Sequence, residues 1–355
     1  MKEQIDQLLK NSTEWLRGTG PEVDVVVSSR IRLARNLAGF PFVPKLGKEQ
    51  EEDVIDLVEE AVKAESRLKD TFFVRYKDVT ELDKQFFLER HLISREHAVE
   101  QGEKAVVVSP NEVVSVMVLE EDHLRIQVFQ SGLNIADAWR ITDEITNGLE
   151  KNLPFSFHAD LGYLTACPTN VGTGIRASCM LHLPSLVMTK QVNKILQALA
   201  KLNLATRGLY GEGSQASGNF FQISNQTTLG QKEEEIVQGL EKVIRQMVVH
   251  EKEARQYLLE KRKAKFEDQI WRSLGTLKSA RIISSGEAVQ LLSLVRLGVD
   301  SGFVKNLLHT ELNNLFLVVQ PAHLQKLYGR ALGSSERDIR RADLIREKLQ
   351  AVSLA

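Results

Sequence analysis

Arginines, carboxylates and one cysteine recur in this chain at spacings that suit a phosphate and a cationic nucleophile. Arg30 and Arg32 stand two apart in VVVSSRIRLARN, whose β-branched run predicts a strand. Alternation puts Ser28, Arg30 and Arg32 on one face of it and Val27, Ser29, Ile31 and Leu33 on the other. Two arginines on one strand face repel unless an anion lies between them. Arg125 stands in EEDHLRIQVFQ, where Leu124, Ile126 and Val128 face one way and Glu121, His123, Arg125 and Gln127 the other. Arg176 follows the turn of CPTNVGTG and opens a strand carrying Arg176, Ser178 and Met180 on one face and Ile175, Ala177 and Cys179 on the other. Arg207 precedes a glycine-rich loop, LYGEG, that carries Glu212 and has the composition of a lid. An arginine fork matches phosphate oxygens bidentately and keeps its charge. Converging arginines would hold a triphosphate where no GxxxxGK[ST] loop is present, and this chain has none.

Glu121 and Glu212 supply acids, and Cys167 a thiol, beside that phosphate cradle. Two carboxylates and a thiolate suit a guanidinium, a multi-donor cation whose nitrogen lone pair is delocalised. Carboxylates can fix its plane and accept its proton as a bond to phosphorus forms. Gly172 and Gly174 let main-chain N–H groups approach a charged ligand closely. His91, near the end of a predicted helix, either reaches a nucleotide or serves the core. Glu121 and Arg125 read equally as an ion pair on a wet sheet face.

With 46 Lys and Arg against 47 Asp and Glu, the formal net charge of −1 argues against a bulk nucleic-acid binder while leaving room for a local basic pocket. Cys167 and Cys179 form no metal-ligand pattern, and no metal-binding residues are assigned. The polar, amphipathic start is unlike a signal peptide, and no apolar run has the length of a membrane span. The expectation is a soluble protein of the reducing cytoplasm, with neither nucleic acid nor membrane as a direct partner.

The elements that must position these groups follow from the apolar periodicity. Residues 2–17 read as a short helix, stopped by Gly18, Gly20 and Pro21. Residues 47–69 read as an amphipathic helix with Val54, Leu57, Val58 and Ala61 inward. Strands are expected over 72–76, 105–109, 113–119 and 219–224, and helices over 81–92, 134–151, 184–202 and 232–250. A domain boundary is placed near residue 254, dividing a segment 1–21, a catalytic domain 22–254 and an all-α domain 255–355. In the last, Ser284 and Glu287 form a capping box and Pro321 starts a helix. Ser334 caps the final helix, whose apolar stripe is Ile339, Leu344, Ile345 and Leu349.

CPTNVGTGIR resembles the signature of the guanidino (phosphagen) kinases, CP-[ST]-N-x-GTG-x-R. EEDHLR, SSRIRLARN and RGLYGEG are similar to three further motifs of that family, in the same order. The resemblance spans about residues 22–254 and implies an α+β fold, an antiparallel sheet flanked by helices. It implies ATP with Mg2+ bridging the phosphates. The nucleotide site it implies comprises Ser28, Ser29, Arg30, Ile31, Arg32, His91, Arg125, Arg176, Ala177, Ser178, Cys179, Met180, Arg207, Gly208, Leu209, Tyr210, Gly211 and Glu212. Glu121 would be the general base, Glu212 the second clamp on the guanidinium and Cys167 a substrate contact. Leu119 departs from the family, which has Asn there.

Only residues 1–21 precede the first motif, whereas small-molecule members carry a larger N-terminal helical domain. A more open site would admit an arginine presented by a protein, and the layout resembles the bacterial protein-arginine kinases. RDIRRA, residues 337–342, resembles a phosphoarginine-receptor motif of that group, with Arg337, Asp338, Arg341 and Ala342 as the implied allosteric site. Its alternative is a solvated helix face laced by ion pairs. The resemblance further implies partners: a heat-shock repressor and unfolded or damaged proteins with exposed arginines as substrates, a zinc-binding activator protein and a Clp chaperone-protease. The apolar stripe of the last helix suggests a homodimer. A kinase of free arginine or another small guanidine, and an inactive phosphoarginine-binding adaptor, are the competing readings.

Overall fold

The computed structural model describes residues 5–354 other than 6, 10, 12, 100 and 209–216. Its centre is an eight-stranded antiparallel sheet in the order β2-β3-β4-β5-β1-β8-β10-β9. The strands are β1 (Val26–Arg35), β2 (Phe72–Arg75), β3 (Ala105–Val108), β4 (Val114–Val118), β5 (Leu124–Ser131), β8 (Ile175–His182), β9 (Leu204–Gly208) and β10 (Phe220–Asn225). A small hairpin of β6 (Phe157–His158) and β7 (Gly162–Tyr163) lies outside the sheet.

One face of the sheet is covered throughout. Ile31, Leu33, Val107, Val116, Ile126, Ile175, Ala177 and Ile223 pack under the helices Lys48–Ala64, Ile135–Glu150 and Glu233–Lys261. The other face is covered only in part. At the β2–β4 end, Val106, Val108 and Met117 meet Phe86, Phe87 and Leu92. This burial on both faces explains the unbroken apolar runs of β3 and β4. At the other end of the strands, Val27, Phe129, Met180 and Phe220 join the core of the C-terminal helices. Between these two covers lies the open strip of sheet that carries the arginines.

The helix Glu233–Lys261 runs through the position expected for the domain boundary. Ala254 still belongs to the first core, and Leu258 to the C-terminal one. The unit beyond is helical, apart from a two-residue pairing of Val304–Lys305 with Ser353–Leu354. Among the described residues no helix is long and apolar enough to cross a membrane.

Several local expectations are corrected. A bulge in the β1–β8 pairing between Val26 and Ser28 turns Val27 to the same side as Arg30, into the C-terminal core. Leu57 is 41% exposed, because the buried stripe of its helix is rotated toward Ile55 and Val62. The expected helix 184–202 is two, Pro184–Met188 and Val192–Lys201, broken where Lys190 takes a left-handed φ of 60°. In the expected helix 2–17, the described residues include a separate 3₁₀ turn, Glu14–Leu16. Gly333, not Ser334, is the N-cap of the last helix, Ser334–Lys348. Of its expected stripe, Leu344, Ile345 and Leu349 are buried within the chain and Ile339 is exposed. A homodimer would therefore need a different surface.

The sheet and the C-terminal unit are joined by buried polar contacts. Arg90 is 1% exposed and donates from Nε to Glu112 at 2.9 Å and from Nη2 to the carbonyl of Asn11 at 3.1 Å. Its Nη1 lies 3.2 Å from Nε2 of His323. Burial, followed by the Arg90 charge, holds His323 well below the usual histidine range. The neutral ring accepts from Arg90 at Nε2 and donates from Nδ1 to Glu89, 2.7 Å away. Arg90→Ala leaves Glu112 as a buried charge without a counterion, so the variant should lose about 3–5 kcal/mol of stability. Urea unfolding measures this, and a loss under 1 kcal/mol would contradict the reading.

Candidate active site

The open strip of sheet is a stripe of cations crossing neighbouring strands in register. Arg32 of β1 lies opposite Gln127 of β5 and Arg176 of β8. Arg30 lies opposite Ser178, Met180 opposite Gln222 of β10, and Gln222 opposite Arg207 of β9. Arg30 donates from Nη2 to Gln222 Oε1 at 2.7 Å and lies 5.4 Å from the centroid of the Phe129 ring. A cleft of about 460 Å³ opens over this floor, lined by Arg30, Arg32, His91, Arg125 and Arg207 among others.

These cations destabilise one another. Burial first, then the charges of Arg125, Arg176 and Arg207, pull Arg30 down to about 9. Arg32 is pulled well below its ordinary value by burial and by the same neighbours together with Arg30. Its Nε is buried with no hydrogen-bond partner among the described residues. Arg176 is lowered by burial and then by Arg207 and Arg125, with Cys167 and Glu121 acting in the opposite sense. A cluster built in this way gains stability from a bound polyanion, and its donors match phosphate oxygens.

The acids lie at the Arg125 end. The turn 119–123 joins β4 to β5 and places Glu120 inward and Glu121 at the surface. Glu120 pairs with Arg125 Nη1 at 2.5 Å and accepts from Ser94 Oγ at 2.6 Å. Burial alone would raise its carboxyl, but these partners and the Glu121 N–H hold it below the usual range. Glu121 is raised, chiefly by desolvation, with Asp122 and Glu120 adding to the rise and Arg125 opposing it. Cys167 lies near enough to Glu121 to oppose that rise slightly, and its sulfur lies 2.9 Å from Thr169 Oγ1.

Asp122 ties the turn that carries Glu121 to the segment that carries Cys167. Its Oδ1 accepts from Ala166 N at 2.7 Å and from Asn36 Nδ2 at 2.6 Å, so the turn, the end of β1 and the residue before Cys167 are one network. Asn36 Oδ1 in turn accepts from His123 N at 2.9 Å. His123, expected on the face of Arg125, is instead buried with its ring between Leu37 N and Pro41 O. Arg35 stays beneath the signature loop. It donates to Thr173 O at 2.9 Å and lies 3.4 Å from the Tyr163 ring centroid. Gly172 and Gly174 have φ of 109° and 66°, and a Cβ at Gly172 would stand 2.5 Å from Thr228 O. Leu119 also has a left-handed φ, 61°, a conformation asparagine tolerates better than leucine.

The structure of the duplicated taurocyamine kinase from Schistosoma mansoni with bound transition state analog components aligns with a TM-score of 0.60 at 26% identity, over 68% of this chain and 34% of that one. The crystal structure of lombricine kinase aligns at 0.58 and 25% identity, over 66% of this chain and 68% of that one. The chain is 48% identical over 345 residues to a protein-arginine kinase of Symbiobacterium thermophilum, covering 96% of this chain and 97% of that protein. It is 46% identical over 344 residues to a protein-arginine kinase of Moorella thermoacetica, covering 96% and 98%. A family model of the ATP:guanido phosphotransferase C-terminal catalytic domain matches residues 53–254. The chain belongs to the ATP:guanido phosphotransferase family. A model of the Protein-arginine kinase McsB C-terminal domain matches residues 263–354.

In this ATP:guanido phosphotransferase, the residues expected to touch ATP fall on both faces of the sheet. Ser29, Ile31, Ala177 and Cys179 point into the helix-covered core, each at most 1% exposed. Ser29 Oγ donates there to Gly132 O at 2.8 Å, and burial pushes the Cys179 thiol up to about 12. Their side chains are on the wrong face for the cleft. Ser28 and Met180 are on the cleft side of the sheet but buried. His91 lines the cleft, with Gln127 Nε2 donating to its carbonyl at 3.0 Å. Burial and Arg30 hold its imidazole down to about 3. Gly208 lines the cleft too, whereas Leu209, Tyr210, Gly211 and Glu212 lie outside the described residues. Sequence reasoning missed Glu120, Asp122 and Gln222. The first two sit inside the EEDH motif and the third alternates correctly on β10, but each takes its meaning from a partner distant in sequence.

The implied allosteric residues are spread between surface and core. Arg341 is 1% exposed, donating from Nε to Val319 O at 2.6 Å and from Nη1 to Ile283 O at 2.9 Å and Asp338 Oδ1 at 2.5 Å. Ala342 is equally buried. Arg337 and Asp338 are half-buried, and Arg337 reaches Leu332 O at 3.4 Å. Among the described residues no group of three or more His, Cys, Asp or Glu side chains is placed to hold a metal ion.

Proposed function

We propose that this chain transfers the γ-phosphoryl group of ATP to arginine side chains of proteins. The observation that carries the reading is the junction of an arginine-lined cleft with the Glu121–Cys167 pair at its Arg125 end. The names of its relatives over nearly the whole chain support the protein substrate. The triphosphate lies on Arg30, Arg32, Arg125, Arg176 and Arg207. The donor set of the cleft is guanidinium-rich and suits anions, so Mg2+ would come with the nucleotide and would supply further neutralisation of its charge. The substrate guanidinium docks against Glu121 and Cys167, with Glu212 as the second clamp that the family resemblance implies. Its nitrogen attacks in line, an N–P bond forms as the bond to the ADP oxygen breaks, and the nitrogen's proton passes to Glu121. Alignment and charge neutralisation carry the catalysis.

A base must be ionised to work. Because Glu121 is held above the usual carboxylate range, the rate falls on acidification through that raised pKa, at higher pH than an ordinary glutamate near about 4.3 would give. Glu121→Gln should lower kcat by about 10²–10⁴-fold and remove this limb while ADP still binds. A rate–pH profile with an ADP titration measures both, and an unchanged profile assigns the proton to another group.

The experiment for the substrate is incubation of the full chain with Mg-ATP and a basic protein, or with free arginine, followed by mass spectrometry at neutral pH. The expected product is modified arginine on the protein and none on the free amino acid. It is lost in acid, as a P–N bond should be. An acid-stable product, or transfer to free arginine alone, rejects the assignment.

Phosphoarginine bound at Arg337 and Asp338, including that on copies of the chain, stimulates the transfer. In support, the buried Arg341 links Asp338 to Val319 O, next to Gln320, which lines the cleft. Arg337→Ala removes a half-buried side chain and should keep the fold but abolish stimulation by added phosphoarginine. Stimulation equal to that of the unaltered chain, read as initial rate, refutes the site. Asp338→Ala is the poorer test, because it also strips the buried Arg341 of its counterion. We further propose that the substrates are a heat-shock repressor and damaged proteins passed to a Clp protease, with a zinc-binding activator as partner. Loss of their arginine phosphorylation in cells lacking this chain is the expected result, and its persistence would overturn the assignment.

A further inference from the structure

The cleft is not made by the catalytic sheet alone. Ser285, Gly286 and Val289, from the first turns of the helix Ser285–Asp300, line it, as does Gln320 before the helix Pro321–Leu327. Glu121, Cys167 and Arg176 lie outside the cavity, beyond its Arg125 end. If transfer takes place at that end, the terminal phosphate lies there, and the rest of the nucleotide must extend back through the cavity toward the C-terminal helices. Gln320 is 6% exposed. Its Nε2 donates to Phe316 O at 2.9 Å, and its Oε1 has no hydrogen-bond partner among the described residues. The backbone on either side of it is fixed. Val319 O accepts from the buried Arg341, and the N–H groups of Ala322 and His323 donate to Glu89, itself a cleft residue, at 2.7 and 3.0 Å. Gly286 has no neighbour within 4 Å of where a Cβ would stand. A Cβ there would stand in open space, at a residue that lines the cleft.

We propose that the C-terminal helical unit forms one wall of the ATP site, with Gln320 and the first turn at Gly286 against the nucleoside half of the bound nucleotide. This rests on the reading of the cleft as the ATP site and adds residues outside every motif that suggested it. Gln320 offers a carboxamide oxygen as acceptor, and Gly286 leaves room that a larger residue would fill.

The test uses the full chain and Mg-ADP in isothermal titration, which needs no protein substrate. Gly286→Leu should weaken ADP binding about tenfold or more, and Gln320→Ala about three- to tenfold through loss of one hydrogen bond. Gly286→Leu should keep the unfolding midpoint of the unaltered chain, and Gln320→Ala, which gives up the buried hydrogen bond to Phe316 O, should lower it modestly with the fold retained. Gly275→Leu, at an exposed helical glycine that also has no neighbour within 4 Å and does not line the cleft, should bind as before. ADP affinity within twofold of the unaltered chain in both Gly286→Leu and Gln320→Ala, with the fold retained, overturns the proposal. Failure to phosphorylate proteins, with ADP binding impaired as stated, would instead overturn the substrate assignment and leave the wall standing.

Discussion

Mutual repulsion among guanidinium groups on one strip of sheet is the constraint on which the rest depends. Burial, and then the charges of their arginine neighbours, push Arg30, Arg32 and Arg176 in the direction of discharge. Such a cluster survives only if the folded scaffold imposes it. Here the scaffold is an antiparallel sheet whose opposite face buries Ile31, Leu33, Ile126, Ala177 and Ile223. Because side chains alternate, burying one face of β1 and β8 forces Arg30, Arg32 and Arg176 onto the other. The apolar core supplies the free energy, and the charged face is what that free energy holds in place.

The groups proposed to meet the substrate are positioned by a different device. Glu121 and Cys167 lie on loops, which are poor at holding a geometry by themselves. They are brought together by Asp122, whose single Oδ1 accepts from Ala166 N and from Asn36 Nδ2. Arg35 adds a second tie beneath the loop, through Thr173 O and the Tyr163 ring. The left-handed glycines of the loop make these approaches possible, since a Cβ at either would meet a carbonyl oxygen within 2.7 Å. Two neighbouring acids are thereby separated in role. Glu120 is buried, paired and lowered, whereas Glu121 is at the surface and raised. The transferable logic is that environment, not residue type, sets two adjacent carboxyls apart.

Much of the arrangement was legible because it rests on alternation and on short motifs. The faces of β5 and β8 follow from period two, and CPTNVGTGIR carries its own turn geometry in its glycines. What was not legible required a third dimension. The β1 bulge flips Val27, and a bulge leaves no mark in hydrophobicity. His123 alternates correctly with Arg125 but precedes the strand, so the ladder's rule does not reach it. Leu57 lies at the margin of its helix stripe, where a small rotation decides burial. Ser29, Ile31, Ala177 and Cys179 came with the family's motif as contiguous segments, although a strand can offer a ligand only alternate side chains.

The division of the chain into a catalytic domain and an all-α domain is also weaker physically than it looks in sequence. The two cores change over between Ala254 and Leu258 inside one continuous helix, so no flexible linker separates them. Glu89 and Arg90, at the end of one catalytic-side helix, grip His323 from two sides. Burial pushes the Glu89 carboxyl up to about 7, against the pull of the Ala322 and His323 N–H groups. The same three-residue stretch ends in His91, which lines the cleft. A displacement of the C-terminal helices therefore cannot leave the cleft unchanged without breaking buried hydrogen bonds, each of which leaves a desolvated polar group behind. Coupling between the helical unit and the nucleotide cleft is in this sense a consequence of polar groups that must be satisfied where the two cores meet.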